Sequence, residues 1–260
     1  MEWAQTFAGF GVGLLVGLTG VGGGSLMTPL LIFVFGIAPI TAVGTDLLFA
    51  AITKAGGIWR HQSLNNIHWP IVGRLLLGSL PAALLTVQWL GHIQSSTLAI
   101  DLIINGTLGL ALILTSLALI FKKPLYRLGR RTVTMAPHMK RWRNPATVFT
   151  GIILGILVPI SSIGAGALGA AILLFLYPSL PIRRIVGTDL AHAVPLTAIA
   201  GLGHWQLGSV DMNLLATLLL GSLPGIYLGS HMSTVIPERV MRTLLASLLM
   251  LIGVKFMLAN

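Results

Sequence analysis

An all-α polytopic membrane protein built from two inverted-topology repeats, each a broken, re-entrant helix pair plus three transmembrane helices, is the fold this sequence predicts. Three observations predict it. Of 260 residues, 55% are hydrophobic and only 8% charged, where a soluble domain carries roughly 25% charged residues. The string VGTDL occurs at 43–47 and 186–190, and LLLGSLP at 75–81 and 218–224, so that both recur at an offset of 143 (186 − 43 and 218 − 75). Each copy opens on an apolar stretch interrupted by glycines, GVGGGSLM at 20–27 and IGAGALGA at 163–170.

A helix rises about 1.5 Å per residue, so about 30 Å of hydrocarbon takes roughly 20 apolar residues. The first stretch, 7–35, is too long for one perpendicular span and too short for two with a loop. Glycine costs about 1 kcal/mol in a helix interior and supplies the positive φ that a break requires, so Gly22, Gly23 and Gly24 predict two short helices. The rival is one long tilted helix whose glycines allow close packing. Apolar spans follow at 40–59, 69–90 and 98–121. The second copy repeats the order: a glycine-interrupted stretch at 147–177, with Gly166 in register with Gly23, then spans at 185–202, 212–232 and 240–258. His61 and His204 obey the same offset and end the second helix of each copy beside Trp59 and Trp205, where anchoring at the membrane interface is expected. The repeats thus occupy 1–121 and 146–260, joined by a basic loop at 122–145.

Sixteen Lys and Arg against six acids give a net charge of +10, but eight of the bases lie in 122–143 with no acid among them. So local an excess argues against nucleic-acid binding and places that loop in the cytoplasm, where anionic lipid headgroups also suit it. If the broken stretches dip in and return, the copies are inverted: Arg183, Arg184, Arg239 and Arg242 lie inside and only Lys255 outside. Parallel copies would put the four arginines outside. Inverted repeats with discontinuous helices recur among secondary transporters. The pattern fits a bacterial-type inner or plasma membrane. Met1-Glu2-Trp3 lacks the cationic start of a cleavable signal, so the first stretch is expected to be retained. The absence of cysteine excludes thiolate metal sites, iron–sulfur clusters and cysteine nucleophiles, and no P-loop is present.

The segments GVGGGSLMTPLL and AVGTDL, then SSIGAGALG and VGTDLAHAVPLTAIAGLGH, resemble the TauE/SafE sulfite exporter family of membrane permeases. The resemblance covers residues 9–258 except the central basic loop. It implies ATP-independent transport of a small sulfur-containing anion such as sulfite or an organosulfonate, export in preference to import.

The residues themselves suggest where such an anion sits. A helix N-terminus carries unpaired N–H groups and about half a positive charge, favouring an anion by roughly 0.3–2 kcal/mol. Helices beginning near Gly24 and Ala167 would aim two such ends at one ligand near mid-membrane. Gly22, Gly23, Gly24 and Ser25, with Ser161, Ser162, Gly164 and Gly166, are therefore the expected substrate contacts, together with Thr45 and Thr188 of the VGTDL strings. Packing at a ligand-free crossover is the alternative. Asp46 and Asp189 lie within apolar spans, where a carboxylate costs roughly 2.5–3.5 kcal/mol; they serve either as coupling and gating groups or as structural acceptors for freed backbone N–H groups. His192 follows Asp189 by three residues on the same helical face, as a proton relay or as a group that satisfies the aspartate. Lys54, whose counterpart is Thr197, binds the anion or extends toward the interface near Arg60.

Two other function classes use the same residues. A proton-coupled cation or metal transporter would recruit Asp46, Asp189 and His192, but His192 and His204 lack the i,i+4 spacing of a helical metal pair. An intramembrane aspartyl protease would pair the two carboxylates, but both lie in copies of one string and the duplication runs through the whole chain. The sequence predicts a carrier working by alternating access with proton coupling. No catalytic residue, cofactor or metal is expected; the partners are a small anion and the lipid bilayer, with homo-oligomerisation open.

Overall fold

Helix breaks, helix pairing and one amphipathic insertion determine the architecture of the computed structural model, which describes residues 2–19, 24–93, 97–135, 139–232 and 238–258. The described residues form helices without strands: α1 (Glu2–Thr19), α2 (Gly24–Phe33), α3 (Pro39–Ser63), α4 (Trp69–Ile93), α5 (Thr97–Ile120), α6 (Lys122–Met135), α7 (Met139–Ser161), α8 (Ala167–Leu176), α9 (Ile182–Gln206), α10 (Met212–Met232) and α11 (Glu238–Leu258). Five of these are long and apolar enough to cross a membrane: α4, α9 and α10 throughout, α5 over Ile100–Ile120 and α7 over Trp142–Ser161.

The second glycine-interrupted stretch is discontinuous, which overturns the single tilted helix there. α1 stops at Thr19 and α2 starts at Gly24; α7 stops at Ser161 and α8 starts at Ala167. Gly22 and Gly23 lie outside the described residues. At the second break the cause is visible. Ser162, Gly164 and Gly166 take φ values of +55°, +123° and +138°, a left-handed course that no helix sustains.

The basic segment corrects a second expectation. It is helical, with α6 covering Lys122–Met135 and residues 139–145 opening α7. Apolar and basic positions in α6 alternate at helical spacing, so one face can pack. Tyr126 lies against the cluster of Leu173, Leu174 and Tyr177, and a Cβ on Gly129 would press on the Phe175 carbonyl. α6 therefore seats on α8.

Helix pairing crosses between the copies. α1 runs along α10 and α7 along α4, while α3 pairs with α9 and α5 with α11. Small residues permit the first two approaches. Gly9 and Gly13 abut the backbone of Leu218 and Ser222, and Gly151 and Gly155 abut Leu75 and Ser79, the matching positions of the two LLLGSLP strings. A side chain at Gly221 would collide with the Thr6 carbonyl oxygen, whereas one at Gly11 meets nothing within 4 Å. Gly221→Leu is therefore expected to destabilise by about 1–3 kcal/mol or more, as overpacking does, and Gly11→Leu to be neutral. Thermal midpoints of the detergent-solubilised variants check this.

Candidate functional site

Several backbone groups at the break between α7 and α8 find partners, while the first N–H groups of α8 do not receive a side-chain cap. Ser162 N–H donates to the Val158 carbonyl at 2.7 Å, Gly169 N–H to Gly164 at 2.9 Å and Ala170 N–H to Gly166 at 3.0 Å. Ser161 Oγ donates to the Leu157 carbonyl at 2.8 Å and accepts from Ile163 N–H at 3.2 Å. Two further carbonyls are answered from other helices. Lys54 Nζ of α3 donates to Ala165 at 3.0 Å, and His204 Nε2 of α9 lies 2.9 Å from the Pro159 oxygen. A carbonyl only accepts, so His204 carries its proton on Nε2. Irregular backbone at membrane depth is tolerated where such partners, or a cavity, satisfy it.

A cavity adjoins this break. It has a volume of about 140 Å³, room for several waters or one small oxyanion. Lys54, Lys122 and Asp189 supply its charged lining, and Gly166, Ala167 and Ala170 of the break and first turn of α8 supply its backbone wall. No side chain caps α8, so its uncapped, positive N-terminal end borders the cavity. Lys54 is only 6% exposed; the structure therefore contradicts its extension toward the interface. Asp189 lies against Gly169, where any added Cβ would collide with Oδ1. That oxygen is buried without a hydrogen-bond partner. One cavity thus unites a helix N-terminus, a buried ammonium and a buried carboxylate.

The two aspartates occupy unequal environments. Thr28 Oγ1 donates to Asp46 Oδ2 at 2.5 Å, and the residue matching Thr28 in the second copy is Ala171 (28 + 143). Asp46 is thereby held by a hydroxyl of its own copy and lies beside Ser162 of the α7–α8 break, while Asp189 lacks a hydroxyl matching Thr28 and borders the cavity. Lys54 has no charged twin either, since Thr197 bonds back to the Ala193 carbonyl at 2.9 Å. The site is asymmetric although the scaffold is duplicated.

The remaining expected residues are distributed as follows. Gly166 lines the cavity; Ser161 and Gly164 build the break, and the Ser162 side chain is buried next to the Asp46 carboxylate. Gly24 and Ser25 open α2. Thr45 Oγ1 accepts from Asp211 N–H at 3.1 Å and Thr188 Oγ1 from His68 N–H at 2.9 Å. These bonds are again offset by 143 (68 + 143 = 211) and fix the start of α10 and α4 to the other copy. His192 Nε2 lies 2.9 Å from Ser79 Oγ of α4 and outside the cavity lining. His204 is fully buried, so it fastens α9 to α7 and is not interfacial; Trp59 and Trp205, 82% and 52% exposed, do face outward. Sequence reasoning missed Lys122, Gly169 and Ala170 as site residues. Gly169 carried a signal, because its counterpart is Leu26 and only the second copy makes room for a carboxylate there.

Comparison with known proteins gives a consistent family. The family described as sulfite exporter TauE/SafE matches residues 6–256. The probable membrane transporter protein YjnA of Bacillus subtilis is 40% identical over 249 residues, 95% of this chain and 96% of its own. The probable membrane transporter protein YdhB of the same organism is 29% identical, covering 90% of this chain and 91% of its own. A probable membrane transporter protein of Methanocaldococcus jannaschii is 28% identical, covering 96% and 92%. No solved structure gives a significant match.

Proposed function

Because the chain belongs to the sulfite exporter TauE/SafE family, we propose that this integral membrane transporter carries a small sulfur-containing oxyanion, sulfite or an organosulfonate, through the cavity beside the second helix break. As a member of a transporter family it moves its substrate and is not an enzyme. The observation that carries the substrate reading is the meeting of Lys54 and the uncapped α8 N-terminus at one cavity. A helix start offers an oxyanion several N–H donors, and a buried ammonium adds a charge-assisted bond.

The working cycle follows from the charges. Lys54 donates to Ala165 in the structure; an arriving anion competes for that ammonium, so loading loosens the tie between α3 and the break. Asp189 borders the same cavity, and ionised it repels the cargo. Taking up one proton on Asp189 per monovalent anion leaves the cavity with the same net charge loaded as unloaded. That balance makes proton coupling the natural partner of alternating access. The two copies lie in inverted topology in a bacterial-type inner membrane, with α6 and its bases on the cytoplasmic face. Lys122 then marks the cavity as opening toward the cytoplasm, the side from which an exporter loads.

A metal-carrying alternative has less support: among the described residues no group of three His, Asp or Glu gathers, and His192 is engaged with Ser79. The test is thermal stabilisation of the purified protein by sulfite, methanesulfonate, sulfate and acetate, followed by flux in liposomes. A ligand at about 100 times its Kd stabilises the folded state by roughly 2.7 kcal/mol, so sulfite or methanesulfonate should raise the melting temperature and acetate should not. Flux of a divalent cation that ignores all four anions would reject the proposal.

A further inference from the structure

His192 is a buried titratable group that the transport reading leaves unused. It lies in α9, one turn beyond Asp189 on the same helical face, and is fully buried. Its Nε2 lies 2.9 Å from Ser79 Oγ of α4, and its Nδ1 is buried without a partner. Asp189 Oδ1 is likewise buried without a partner. At this spacing the Cβ atoms are roughly 5–6 Å apart, so a direct bond or one bridging water joins the two side chains. With Ser79 Oγ accepting from Nε2–H, the lone pair on Nδ1 is an acceptor that no group answers. We propose that His192 is the second proton station of the transport cycle, taking the proton of Asp189 on Nδ1 and passing it to the side of the membrane away from the anion cavity.

This role rests on the reading of Asp189 as the coupling group and adds the route its proton takes. Two observations set it apart from packing. The residue matching His192 is Phe49 (192 − 143), also fully buried, so the scaffold accepts a phenyl ring at this position of α3. Ser222, which matches Ser79, bonds back to the Leu219 carbonyl of its own helix. The imidazole is thus present only in the copy whose carboxylate borders the cavity. The second observation is position. Asp189 lines the cavity and His192 does not; in the proposed orientation α9 runs outward from Arg183 and Arg184, which puts His192 one turn farther from the cytoplasm. Lys54 of α3 acts electrostatically on both groups. Of the elements packed on α9, α3 also carries Asp46, with Arg60 and His61 near its end, and α4 carries Arg74 and His92, each more than a turn from Ser79. The bases of α7 lie within its first five residues, and α8 has no titratable group. Once the anion leaves, the O–H bond of Asp189 breaks and an N–H bond forms at Nδ1. The imidazolium then gives that proton to water on the far side, and the ring is neutral again with Nε2–H on Ser79. Asp189 is left ionised and repels a returning anion.

The test uses the full-length protein in liposomes with methanesulfonate as the anion. His192→Gln keeps a hydrogen-bonding partner for Ser79 but takes up no proton, and His192→Phe installs the ring of the first copy. Both variants are expected to retain the methanesulfonate-dependent rise in melting temperature and its pH dependence, which belong to Asp189. Exchange of internal for external methanesulfonate at equal pH requires no net proton release and should also be retained. Net flux down a methanesulfonate gradient, with the proton movement read by a pH-sensitive dye, should fall roughly 100-fold or more, the lower end of what a positioned proton-transfer group supplies. Ser79→Ala removes the bond between α4 and α9 but leaves the imidazole, and should keep most of the net flux. The reverse pattern, with net flux normal in His192→Gln and lost in Ser79→Ala, would make His192 a structural tie and overturn the proposal. Equal loss of exchange and net flux in His192→Gln would overturn it too. Normal coupling in His192→Gln together with lost coupling in Asp189→Asn would reject His192 and leave Asp189 in its role. Methanesulfonate flux without proton movement in the wild type would reject both.

Discussion

Lys54→Met is expected to eliminate sulfite-dependent stabilisation and flux while the protein still inserts in the membrane. The methionine keeps a similar length of apolar stem but supplies no donor. A hydrogen bond to a charged group is worth about 1.5–3 kcal/mol, so anion affinity should fall roughly 10- to 150-fold. Two structural effects accompany the substitution and are separable. The Ala165 carbonyl loses the partner it has at 3.0 Å, and Asp189 loses the buried cation that shares its cavity. Both lower the melting temperature of the ligand-free protein. The diagnostic quantity is therefore the rise produced by sulfite, not the starting value. In the double variant Lys54→Met with Asp189→Asn, removal of the uncompensated carboxylate should restore part of the stability without restoring the ligand-dependent rise. A full sulfite response in Lys54→Met would leave the helix N-terminus as the sole determinant and remove Lys54 from the site.

The fate of Lys54 also marks the limit of what the sequence makes legible. Repetition is visible in strings that recur at one offset, and the break between α7 and α8 is visible because glycines interrupt a stretch of unsuitable length. Those signals are local or periodic. Which helix of one copy faces the break of the other is neither, so the reach of Lys54 across to Ala165 could not be read from its distance along α3 to Asp46 or Arg60. His204 misleads for the same reason: beside Trp205 it resembles an interfacial residue, yet it turns inward to Pro159. The basic segment misled differently, because charge density predicts a side of the membrane and says little about conformation. α6 is a helix because its apolar face finds α8. By contrast, the substitution of Ala171 for Thr28 is plain at the offset of 143, but it acquires meaning only when Thr28 is seen on Asp46.

That difference supports a contrasting pair of expected results. Asp189→Asn should abolish the pH dependence of anion binding; Asp46→Asn should preserve it and mainly reduce stability. Methanesulfonate is the suitable probe, since it stays a monoanion across the neutral range and any pH dependence belongs to the protein. The titratable groups around the cavity are Asp189 of α9, Lys54 of α3 and Lys122 of α6. In the wild type, protonated Asp189 leaves two cations facing the cargo, and its ionisation adds a like charge next to the anion. Affinity is therefore expected to fall as pH rises. An asparagine keeps the shape against Gly169 but cannot ionise, so its affinity should match the low-pH wild-type value at every pH, and proton movement should no longer accompany anion flux. Asp46 differs because its carboxylate accepts from Thr28 and does not line the cavity. Asparagine there weakens a charge-assisted bond, and Thr28→Val removes its donor; each should lower the melting temperature by an amount corresponding to about 1–3 kcal/mol with the pH profile of binding unchanged. A flat profile in Asp46→Asn and a normal one in Asp189→Asn would reverse the roles of the two copies. Such a result would place the proton on the carboxylate that Thr28 already holds, and the cavity beside α8 would then be a site of binding without coupling.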